Sequence, residues 1–185
     1  IMKNRSYKIP LALMFCLFFL WARSSSLLPT VIRQLMKTCE LNPFQASFTE
    51  SAYWLAYFIF PIPIAMFLKR YSYKAGIIFG LLLAACGGLL FFPAAILKAY
   101  WAYLCIFFII ATGMCFLETA ANPYVTILGK PETAERRLNL AQSFNGLGAF
   151  IAAMFLSKLV LSGANYTKET LPSAYPGGWA GYIQT

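Results

Sequence analysis

The sequence predicts an all-α membrane protein, a helical bundle with about five transmembrane helices, on three observations. Of its 185 residues 60% are hydrophobic and only 11% charged, with a mean hydropathy of +0.65. A soluble domain of this size covers itself with far more polar surface. Long uncharged stretches recur, each close to the roughly 20 residues an α-helix needs to cross the hydrocarbon core. The remaining charges fall mostly in short connections that cannot hold a separate catalytic domain. The 17 Phe, 11 Tyr and 4 Trp suit lipid contact and the two membrane interfaces.

The first span covers residues 9–32. Its opening run, IPLALMFCLFFLWA, is too short alone and reaches full length only across Arg23. Lys3, Arg5 and Lys8 ahead of that run resemble the start of a secretory signal. A small-x-small cleavage site does not follow convincingly and further spans do, so the segment reads as a membrane helix. The second span covers 44–68 and contains Pro61 and Pro63; the third covers 74–97. The fourth, 100–129, has Glu118 as its only charge, and the fifth covers 138–162. The tail, TLPSAYPGGWAGYIQT, is uncharged and rich in Pro and Gly, and reads as a loop entering a sixth span that is left incomplete.

Orientation follows from loop Lys and Arg. With the N-terminus inside, the cytoplasmic side receives nine: Lys3, Arg5, Lys8, Lys69, Arg70, Lys74, Lys130, Arg136 and Arg137. The other side receives five, Arg33, Lys37, Lys98, Lys158 and Lys168, so a cytoplasmic N-terminus is expected. The net charge of +9 is thereby explained by orientation and by anionic membrane lipid, and no nucleic-acid partner is expected. Small residues at four-residue spacing, Gly76, Gly80, Ala84 and Gly88 on the third span and Ala149 and Ala153 on the fifth, predict close helix packing.

The chain has no His, which removes His triads, His metal sites and His proton shuttles. Its five Cys show no metal or redox spacing, so no metal and no cofactor is expected. The chemistry concentrates in two segments. Glu118 lies deep in the fourth span, where an ionisable group is expensive and faces a cavity or a partner. Asn122 follows one turn later on the same face, and Pro123 frees a backbone carbonyl beside them. On the fifth span Asn139, Gln142 and Asn145 form a polar stripe whose amides both donate and accept, as a hydroxyl-rich ligand requires. Glu118 reads as a proton or substrate site, with a structural carboxyl bonded to a neighbouring helix as the alternative. Interhelical bonding is the alternative for the amides. Arg23 is a candidate partner for Glu118, and a snorkelling Arg23 is the alternative. Glu50, near the outer interface, reads as exposed.

CFLETAANPYVTILG followed by RRLNLAQSFNGLGA resembles the fourth and fifth helices of sugar–proton symporters of the fucose permease type, in the major facilitator superfamily. YFIFPIPIAMFLKRYSYKAGIIFGLLL resembles the second and third helices, and FFLWA the first, so the likeness covers essentially the whole chain. It implies a twelve-helix transporter of the bacterial inner membrane. Residues 1–185 would be its N-terminal half, incomplete at the sixth helix, with the C-terminal half as the missing partner. It further implies symport of a fucose-like monosaccharide with protons by alternating access, and no enzymatic activity. Glu118 falls on one of two carboxylates that such proteins use for proton coupling. The other belongs to an Asn-Asp pair on the first helix; here that stretch reads RSSSLLPTV, Pro29 takes the Asp position and Arg23 is added. A reading-frame shift across 23–30 would produce that departure. It also leaves a second functional class, a transport-inactive sensor or assembly protein derived from such a transporter.

Overall fold

The computed structural model describes residues 7–26, 28–38, 42–97 and 100–156. They form helices α1 (Lys8–Ser26), α2 (Leu28–Thr38), α3 (Pro43–Ile59), α4 (Pro61–Tyr71), α5 (Tyr73–Leu97), α6 (Tyr100–Ile127) and α7 (Ala134–Ile151). A short 3₁₀ turn at Pro131–Thr133 precedes α7, and a π-type turn at Ala152–Leu156 continues it. No strand occurs among the described residues. The expected ends of the fifth span, the 170–185 tail and the start of a sixth helix lie outside the described residues.

Among the described residues three helical stretches are long and apolar enough to cross a membrane: Lys8–Met36, Tyr73–Ala94 and Tyr100–Ile127. The second expected span is a bent pair, Phe44–Ile59 and Pro61–Tyr71, which turn 45° from one another. Pro61 and Pro63 cause the bend, since each lacks an N–H and its ring crowds the preceding turn. The Phe60 N–H still reaches the Ala56 carbonyl at 3.0 Å, which holds the two halves together. The fifth helix, α7, falls outside the set of apolar spans because Glu135, Arg136, Arg137 and the amide stripe fill its first turns. It also begins at Ala134, ahead of the expected residue 138, because a helix can start in the charged interface before its apolar part.

Local chemistry sets the ends. Asn42 and Gln45 form a reciprocal capping box at the start of α3: Gln45 N–H donates to Asn42 Oδ1 at 2.8 Å, and Asn42 N–H to Gln45 Oε1 at 3.1 Å. The α4–α5 turn pivots on Ser72, a non-glycine residue at φ 142°, whose hydroxyl accepts from Ala75 N–H at 3.3 Å.

α6 is the central helix. In its apolar window 67% of residues are buried, against 17–18% for the α1 and α5 spans, so α6 is enclosed while those two are largely exposed. Leu89 and Phe92 of α5 are exposed, as are Phe58 and Ile62 of the bent pair and Trp101 at the start of α6. α5 meets α6 backbone to backbone. A Cβ added at Gly80 would stand 2.8 Å from Gly113 O, and one at Gly113 would stand 2.7 Å from Gly80 O. The small-residue expectation thus holds at Gly80, but Gly88 has nothing within 4 Å.

On α7 the expected face is corrected. Ala153 is exposed and Ala149 only partly buried, whereas Ala141, Gly148 and Ala152 are buried. A Cβ at Gly148 would come within 2.3 Å of Phe19 O on α1. Four-residue spacing picked the wrong register, because it marks where small residues align and not which way they point. Phe15 and Phe144, stacked at 5.2 Å, complete this contact.

These contacts predict opposite effects for two glycines of one helix. Gly80→Val should destabilise by about 1–3 kcal/mol through overpacking. Gly88→Ala should be neutral or stabilise by up to about 1 kcal/mol through helix propensity. Thermal unfolding of both variants in detergent checks the pair.

Candidate functional site

The site candidates fall on α6 and α7, which run side by side past α1. Ala121 and Val125 of α6 and Ala141 of α7 share one buried cluster with Met14 and Phe18 of α1. Above this floor Asn122 and Gln142 meet: Gln142 Nε2 donates to Asn122 Oδ1 at 3.1 Å. The bond occupies one amide donor and one amide acceptor, and the exposed Gln142 keeps its carbonyl for a ligand. Asn145 is half-buried further along α7 and Asn139 is exposed, so only one member of the stripe is tied to the fourth helix.

Glu118 is half-buried one turn before Asn122. The second span faces it with Tyr53, buried, and Tyr57, half-buried, whose rings lie 5.6 Å apart. Both phenols are within electrostatic reach of the Glu118 carboxyl, as is Cys115, whose thiol interacts with the Thr119 hydroxyl. Sequence reasoning missed the tyrosine pair. Its i, i+4 spacing on a helix marks a shared face, but aromatics are so frequent in this chain that the spacing alone selects nothing.

The expected pairing of Arg23 with Glu118 is not made. The Arg23 guanidinium carbon lies 5.8 Å from the centroid of Phe19 on its own helix, and its buried Nε has no hydrogen-bond partner. Met14 and Phe18 pack with Ala121 and Val125 of α6 and Ala141 of α7, and the Phe19 backbone, one turn before Arg23, meets Gly148 of α7. Glu50 is exposed, as expected.

Arg137 is the second residue that sequence reasoning undervalued, having assigned it only to loop charge. It is 7% exposed. Its Nε donates to Val125 O at 3.2 Å, Nη2 to Thr126 O at 2.8 Å, and Nη1 to Lys130 O at 2.9 Å and to the Thr133 hydroxyl. The guanidinium therefore caps the last carbonyls of α6, where a cation also meets the favourable end of the helix dipole. No acidic side chain pairs with it among the described residues. Gly129, at φ 109°, folds the α6–α7 connection over it; a Cβ there would stand 3.3 Å from Nη1. No group of three or more His, Cys, Asp or Glu capable of holding a metal occurs among the described residues.

Comparison with known proteins identifies the family. A family profile described as Major Facilitator Superfamily matches residues 13–167. The chain is 47% identical to the L-fucose-proton symporter of Escherichia coli K12, over 90% of this chain and 38% of that protein. It is 43% identical to a glucose/galactose transporter of Brucella abortus, over 87% of this chain and 39% of that one. Among solved structures it superimposes on the transporter FucP in the outward conformation with a TM-score of 0.82 at 46% identity, covering 96% of this chain and 43% of that one. The chain thus spans about two fifths of the length of the relatives it matches.

Two effects should be measurable in thermal unfolding. The Asn122→Ala and Gln142→Ala double-mutant cycle should show a coupling of about 0.6 kcal/mol, the average for interhelical hydrogen bonds in a membrane. Arg23→Leu should stabilise by about 1–3 kcal/mol, because it removes a partly buried cation that has no acidic partner among the described residues.

Proposed function

The chain belongs to the Major Facilitator Superfamily, and from that membership we propose that it forms the N-terminal half of a secondary transporter that moves a monosaccharide by proton symport. The observation that carries the reading is the α6–α7 arrangement. A half-buried carboxyl with no cation partner among the described residues, Glu118, stands a turn away from an amide pair whose remaining groups suit sugar hydroxyls. The names of the relatives, L-fucose-proton symporter and glucose/galactose transporter, support a neutral hexose or deoxyhexose as substrate.

In this reading Asn122, Gln142, Asn145 and Asn139 hydrogen-bond the sugar, and a second half of the transporter closes the other side of the cavity. Glu118 takes up a proton from one side of the membrane and releases it to the other. Binding of proton and sugar biases the equilibrium between the two openings, because each interacts differently with the two states. No enzymatic step is assigned. The N-terminus is cytoplasmic and the membrane is the bacterial inner membrane; the excess of Lys and Arg in the loops on that side supports the orientation. The alternative, a transport-inactive sensor, is favoured by one feature: in the first span Pro29 stands where the resemblance implies the Asp of an Asn-Asp pair, and Arg23 is added.

Uptake of labelled L-fucose and D-galactose by cells producing the full gene product separates the two readings. Concentrative uptake supports symport, and sugar binding without uptake supports the sensor. Within the symport reading, Glu118→Gln should keep sugar binding and exchange while uphill accumulation falls to the equilibrium level, since Gln keeps shape and hydrogen bonding but carries no proton. Accumulation surviving in that variant would remove Glu118 as the carrier. For orientation, a cysteine at Ser72 should resist an impermeant thiol reagent applied to intact cells and react in inverted vesicles.

A further inference from the structure

The Asn122–Gln142 pair requires two helices to hold a fixed register, and one 3.1 Å amide bond is a weak means of setting it. A stronger tie lies close by. Arg137 stands five residues before Gln142 on α7, and its acceptors Val125 and Thr126 stand three and four residues after Asn122 on α6. The same guanidinium reaches Lys130 O and Thr133 Oγ1, so one planar group grips both the end of α6 and the connection that leads into α7.

We propose that Arg137 is the positioning residue of the substrate-binding amides: its bonds to the α6 carbonyls set the height and rotation at which Gln142 meets Asn122. The inference rests on the symporter reading only for the word substrate; the geometric claim stands without it. Three features separate it from a generic loop charge. Arg137 is buried, while its neighbour Arg136 is exposed. Its partners are backbone carbonyls and one hydroxyl, so the contact reads backbone position and not the state of an acid. Gly129 adopts a positive φ in the turn that covers the guanidinium, a conformation that a side chain would strain. A lysine could neutralise the same helix end but could not fork across these acceptors.

The test is cross-linking in membranes containing the full gene product, with the native cysteines replaced by serine. One pair, Asn122→Cys with Gln142→Cys, reads the proposed register. A second, Phe15→Cys with Phe144→Cys, reads α1 against α7 as a control. A short dithiol-reactive reagent is applied to each. With Arg137→Lys the rate at 122/142 should fall roughly tenfold, the order expected from losing one charge-assisted hydrogen bond, while 15/144 stays unchanged. Equal slowing of both pairs would make Arg137 merely structural and overturn the proposal, and so would no slowing at either. Thr133→Val, which removes one acceptor and keeps the charge, should slow 122/142 by a smaller factor, and it decides the matter if Arg137→Lys does not reach the membrane. The rates are read without transported sugar, so an absence of uptake bears on the symporter reading and not on this one.

Discussion

The enclosure of α6 is the constraint on which the rest of the structure depends. In hydrocarbon no water satisfies a stray polar group, so a helix carrying Glu118, Thr119 and Asn122 has to find partners inside protein. Around it the other elements take their places by what they can offer. α5 gives close backbone contact through Gly80 against Gly113, α3 gives Tyr53 and Tyr57, α1 gives Met14 and Phe18, and α7 gives Gln142 and Arg137. Lipid tails are as apolar as the helices, so packing of this kind and the few polar bonds hold the bundle together. That is why single atoms at Gly80 or Gly113 matter more than the large exposed Phe and Leu side chains.

Backbone placement along the chain was largely legible from sequence, because run length and charge are local properties. Residues 74–97 and 100–129 correspond closely to Tyr73–Leu97 and Tyr100–Ile127. Pro61 and Pro63 lie within the second expected span, but that span reads as one continuous helix in the sequence, and the bend between α3 and α4 was not expected. Rotation about each helix axis was less legible. Ala149 and Ala153 have the right spacing but the wrong direction, and Arg23 rests on Phe19 of its own helix and forms no pair with Glu118. Period and composition say which residues share a side; only the neighbours say what that side touches. For the same reason the Asn122–Gln142 bond lay within reach of sequence reasoning, since both residues stood on polar stripes, while Tyr57 was hidden among many similar aromatics.

Arg137 illustrates a second limit. Counted by charge, it is one of nine cations on one side of the membrane and equivalent to Arg136. By geometry the two differ completely, one exposed and one satisfied by four acceptors. The orientation rule needs only the charge, so it extracts the same information from both residues. The α6–α7 junction needs the planar fork, and nothing in residue type separates an arginine that is counted from one that is clasped.

The two intramembrane charges then have different meanings. Arg23 has no anion partner among the described residues, and a guanidinium cannot shed its proton under any physiological condition. It is a fixed charge, tolerable only by reaching polar surroundings or a ligand. Glu118 also lacks a cation partner, but a carboxyl has a second way to become neutral, by binding a proton. A permanent ion pair between the two would satisfy both and hold the carboxyl ionised in every state of the bundle. Arg23 rests on Phe19 of its own helix and forms no ion pair with Glu118 among the described residues; the proposed symport needs a carboxyl that can change its proton, and a permanent pair would oppose that.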